Sequence, residues 1–137
     1  MGRFFVTPES VKLELPKCGS WVLVKKELNR AEHDTVIGAG VNSFRRTESE
    51  TDFQIDSGAM NITKIHTWVI EWGLTAETPT RGEDGQAKLI ERPVPVSMQS
   101  ITNLTVDVST EILEVIEAHQ AALEQEKKAT NTMRLAR

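Results

Sequence analysis

The sequence predicts an α+β fold, with an N-terminal β-hairpin packed on a mainly α-helical domain. Three observations predict it. Val11, Leu13 and Leu15 alternate with Lys12 and Glu14 ahead of a Pro16–Ser20 turn and a second apolar run, Trp21–Val24. Ile62, Ile65, Val69 and Trp72 then recur at helical spacing. A second helical stripe of Ile112, Val115, Ile116, His119, Ala122 and Leu123 follows near the C-terminus. With 137 residues the chain suits one hydrophobic core. We therefore expect a single domain over 1–128 and a flexible tail over 129–137.

Each element has a local reason. Period two over Val11–Leu15 marks a half-buried strand, and Pro16 and Gly19 punctuate the turn after it. A lone hairpin is marginal in water, so this one must pack on something else. Asn29 is an N-cap with Glu32 three residues on, the pattern of a capping box. The helix it starts would bury Ile37, Val41 and Phe44, although Gly38 and Gly40 either weaken it or break it near residue 38. Residues 45–57 are polar and acidic and predict a loop. The spacing predicts the central helix over 58–74, with Trp68 and Trp72 as core anchors, because such side chains bury about 150–250 Å² each. Residues 75–93 predict a long exposed loop, with a short strand at Ala87–Ile90. Pro93–Val96 is extended, and Ser97 caps a short helix over Met98–Leu104. The last helix starts between Asp107 and Ser109, runs to about Lys128 and leaves its tail to fray.

Charge and composition narrow the function. The net charge is −4, and the basic residues are scattered; Lys25-Lys26 and Arg45-Arg46 are no more than pairs. Nucleic-acid binders cluster Lys and Arg to neutralise phosphates, so no nucleic-acid partner is expected. No apolar run reaches the roughly 20 residues of a membrane span, and the N-terminus lacks a signal-peptide run. The single cysteine, Cys18, excludes an intrachain disulfide and fits a reducing compartment. The expectation is a cytoplasmic, membrane-free protein, in which the sequons at Asn61 and Asn103 are chance matches.

No residue pattern carries catalysis. His33, His66 and His119 have no second ligand at metal spacing. Lys17 beside Cys18 would lower the thiol pKa slightly, but no histidine partners it. Gly38-Ala-Gly40 lacks the third glycine of a nucleotide fingerprint, and no P-loop exists. The acidic runs Glu48–Asp52 and Glu83-Asp84 lie in polar segments where water keeps carboxylates ordinary. We expect no catalytic residue, metal or cofactor, and a protein that acts by binding.

The layout resembles that of tail assembly chaperones of long-tailed bacteriophages and prophages. The likeness covers about residues 5–126. It is carried by Trp21 and Lys25-Lys-Glu-Leu28, a helix with Glu32, and Trp68-Val-Ile-Glu-Trp72. An acidic Gly-turn loop then leads into Pro93-Val-Pro-Val-Ser97, and Ile101-Thr-Asn-Leu104 and Val108–His119 complete it. The glycine-rich first helix and the 45–57 loop depart from the pattern. The resemblance implies a protein that transiently binds the tape measure protein, recruits tail tube subunits in the host bacterial cytoplasm, and is absent from the mature virion. It leaves self-association open. It also implies a longer, frameshifted product. Glu126-Lys127-Lys128 can be encoded with an A-AAA-AAG slippery heptamer, which would assign the frameshift position to Lys127 and Lys128. In that case residues 129–137 belong to the short form alone.

An apolar helix face with acidic flanks suits helix-in-groove contacts. Ile112, Val115 and Ile116 are expected to close the core, whereas Leu123, Met133 and Leu135 lie beyond it as partner-binding candidates. The alternative function is a permanent neck or tail-completion component of the virion, which would be present in purified particles.

Overall fold

The computed structural model describes residues 5–41, 57–82 and 85–135. The predicted hairpin is present as β1 (Ser10–Leu15) and β2 (Ser20–Lys25), paired antiparallel from Ser10↔Lys25 to Leu15↔Ser20. Val11, Leu13 and Leu15 share one face with Val22 and Val24, and Lys12 and Glu14 point away from it. Gly19 closes the turn at φ +75°, a conformation that favours glycine. Helix α1 (Arg30–Val41) follows. Its start is the expected capping box: the Glu32 amide donates to Asn29 Oδ1 at 2.9 Å, and the Asn29 amide donates to Glu32 Oε1 at 3.0 Å. The helix continues through Gly38 and Gly40, but its buried face differs from the expected one. Val36 is buried and Ile37 is 57% exposed, while the Val41 side chain, Phe44 and most of the 45–57 segment lie outside the described residues.

The central helix is shorter than its periodicity predicts. Helix α2 (Ser57–Trp68) stops at Trp68, and Val69–Trp72 forms strand β3 on the open edge of β2. A regular strand would place Val69 and Trp72, three apart, on opposite faces. Here the pairing runs Val24↔Val69 but Leu23↔Glu71, so a bulge inserts Ile70 and resets the alternation. Both Val69 and Trp72 therefore reach the core, and the bulged strand imitates a helical stripe in sequence.

Residues 75–93 form a second hairpin: the short strand expected at Ala87–Ile90 is present, longer than expected, and the segment read as loop before it supplies its partner. Strand β4 (Thr75–Arg81) pairs with β5 (Ala87–Pro93) in full register. Both faces are exposed, so the segment has no inward apolar set from which to read a strand. Ser97 caps α3 (Met98–Thr102) as expected, with a capping box to Ser100. Helix α4 (Val106–Leu135) begins at the expected place but extends past Lys128 to Leu135.

One core joins the first sheet to the helices. Leu15, Val22 and Val24 from the sheet meet Ile65 and Trp68 of α2, Ile101 of α3, and Ile112 and Ile116 of α4. Leu28, Val69 and Trp72 complete it. Ala122, expected on the buried face of α4, is exposed. No described helix is long and apolar enough to cross a membrane.

Candidate functional site

Trp72 ends β3 with its ring in the core, and its indole Nε1 donates to the Val94 carbonyl at 2.6 Å. The Val94 amide donates to the Leu74 carbonyl at 3.2 Å. These two bonds fix the base of the β4–β5 hairpin against the core. Gly73 is needed between them: a Cβ there would lie 2.8 Å from Trp21 Cδ1, inside the ring's contact distance. Beside this base lies an open cleft of about 490 Å³, lined by Trp72, Leu74, Val94, Leu104 and Val108, with Gln99 and Thr105 on its polar rim. From it the β4–β5 hairpin extends, with every strand residue exposed except the half-buried Thr80.

A second feature centres on Glu111, which the helical pattern assigns to the polar face of α4. It is buried at 4% exposure. Its carboxylate accepts from the Lys17 amide at 2.7 Å and the Cys18 amide at 3.0 Å. The tight β1–β2 turn leaves these amides without strand partners, and Glu111 satisfies them. Burial presses the Glu111 carboxyl upward, but the turn donors outweigh it and hold the group below the ordinary carboxylate value. Cys18 responds in the opposite sense to the expectation drawn from Lys17. Desolvation and the neighbouring Glu111 carboxylate push its thiol up, which makes it a poorer nucleophile. A long-range amide–carboxylate contact leaves no local sequence signal, so only the tertiary fold reveals it.

The histidines occupy unrelated places. His33 and His66 are exposed. His119 Nε2 lies 2.8 Å from the Lys26 carbonyl, and its ring meets Trp68 edge-on at 5.8 Å. This histidine bonds α4 to the end of β2. Among the described residues no group of three or more His, Cys, Asp or Glu side chains could hold a metal.

The partner-binding candidates separate. Leu123 is half-buried and packs on the core, not beyond it. Met133 and Leu135 lie on the α4 backbone, and their side chains fall outside the described residues. Lys127 and Lys128 are exposed on α4, and Lys127 pairs with Glu27. Beyond the short strand at Ala87–Ile90, the sequence does not announce the exposed β4–β5 arm or the cleft at its base, since neither carries a periodic apolar stripe. Comparison of the chain with protein-family models, curated proteins and solved structures finds no match.

Proposed function

We propose that this protein is a binding protein, not an enzyme, and that it serves as a bacteriophage tail assembly chaperone. In this role it transiently holds the tape measure protein and recruits tail tube subunits in the host cytoplasm. The observation that carries the reading is a convergence. Segments that bear the sequence resemblance, Trp68–Trp72, Pro93–Ser97, Ile101–Leu104 and the start of α4, meet around the apolar cleft beside the exposed arm. A cleft with apolar walls and a polar rim suits the apolar side of a client helix.

The test is co-expression with the tape measure protein of the same genome. The client should become soluble with this chain and remain insoluble without it. Equal insolubility in both cases rejects the chaperone reading. Gln99→Arg narrows the cleft rim at an exposed position without touching the core, and should reduce client recovery while the fold persists. Purified virions should lack the chain; its presence there favours the neck or tail-completion reading. The frameshift proposal is read from the gene: AAA at Lys127 followed by AAG at Lys128 supports the slip, and AAG at Lys127 excludes it.

A further inference from the structure

Residues paired directly across an antiparallel hairpin project from the same face. In β4–β5 the pairs Glu77↔Glu91 and Pro79↔Leu89 therefore share one face, with Arg81 at its tip. The pairs Ala76↔Arg92, Thr78↔Ile90 and Thr80↔Lys88 share the other. The middle of the first face is acidic, with an apolar pair beside it. The second holds two cations flanking Ile90 and, among its paired residues, no carboxylate. Leu89 is 68% exposed and Ile90 46%. Within one copy this arrangement is poor. Two like charges stand opposite each other at Glu77 and Glu91, which is destabilising. A two-stranded ribbon with both faces in water is marginal by itself.

We propose that the β4–β5 hairpin is a self-association arm, in which the acidic face of one copy packs on the basic face of a second. Glu77 and Glu91 then meet Lys88 or Arg92, and Pro79 and Leu89 cover Ile90. The occupant is a second copy because the two faces of the same element supply both halves of the charge match. The contact is heterologous: each added copy leaves one acidic and one basic face open, so it propagates as a ring or a helical stack. One hairpin face is smaller than the roughly 800 Å² per partner of a stable complex. The association is therefore weak, grows with concentration and weakens with salt. It stands apart from the client assignment, because it concerns the purified chain alone.

Sedimentation velocity of the full chain from micromolar to millimolar concentration reads it directly. Wild type should associate at low salt and dissociate severalfold more readily at high salt. Lys88→Glu with Arg92→Glu makes both faces acidic, and Glu77→Lys with Glu91→Lys makes both basic. Each variant alone should stay monomeric, and an equimolar mixture of the two should associate. Leu89→Ser with Ile90→Ser changes no charge and should also abolish association, which covers the case in which a charge-reversed hairpin frays. Wild type that stays monomeric throughout, or variants that associate like wild type, overturns the proposal. So does a monomeric wild type whose Lys88→Glu, Arg92→Glu form loses client recovery, since that result gives the arm to the client.

Discussion

Glu111 and Gly73 are the two positions where one atom group decides the local structure. Because the folded-state carboxyl of Glu111 sits below its ordinary value, its stabilising effect is complete above the unfolded carboxylate pKa. It is lost as pH falls through the lowered folded value. Glu111→Gln should therefore lower the melting temperature at neutral pH, and the gap from wild type should narrow in acid, read by thermal melts across a pH series. The same change removes the negative charge beside Cys18. Alkylation of that thiol should become severalfold faster in the variant at mildly alkaline pH; an unchanged rate would mean that Glu111 does not control the thiol. Gly73 faces Trp21, and an added methyl has to displace the ring. Gly73→Ala should cost about 1–3 kcal/mol by chemical denaturation. Trp21→Leu in the same chain should make the loss less than additive, because the clash is gone.

At the scale of elements, the capped helices and the first hairpin were the parts most legible in the sequence. Asn29 with Glu32 and Ser97 with its short helix are local codes, written within four residues, and both appear as bonded boxes. Asn29→Ala should cost about 1 kcal/mol, read as a lowered denaturation midpoint. Two segments depart from the reading for definite reasons, the second only in part, since the strand at Ala87–Ile90 is present. The bulge at Ile70 gives β3 the spacing of a helix, and β4–β5 buries neither face, so no alternation announces it. Low burial also has a dynamic consequence. In dilute solution the amides of β4 and β5 should exchange with solvent far faster than those of β2, whose Val22 and Val24 are fully buried. Exchange followed by mass spectrometry checks this; equal protection of both hairpins at low concentration would require a cover that the monomer lacks.

For the whole molecule, the single core over the first sheet and the helices agrees with the α+β expectation. The expected helix-face assignment of Ile112 and Ile116 also agrees, since both are completely buried. Ile116→Ala should cost about 2–5 kcal/mol, measured by equilibrium unfolding. The candidate site was less legible than the core. The cleft draws its walls from residues 72 to 108, and the arm beside it depends on pairing, neither of which is encoded in a local motif. The long-range bonds from α4 to the N-terminal hairpin and its exit bear on how the chain is made. Glu111 reaches Lys17 and Cys18, His119 reaches Lys26, and Lys127 reaches Glu27, across 93 to 100 residues of chain. Such distant closures are slow, because loop entropy is lost before any contact rewards it. The hairpin is synthesised first and waits for the last helix to leave the ribosome before it is locked. A reading-frame slip at Lys127–Lys128 would fall only after every one of these anchoring residues has been translated. Short and long products would then share the same closed domain and differ only in what continues from its final helix.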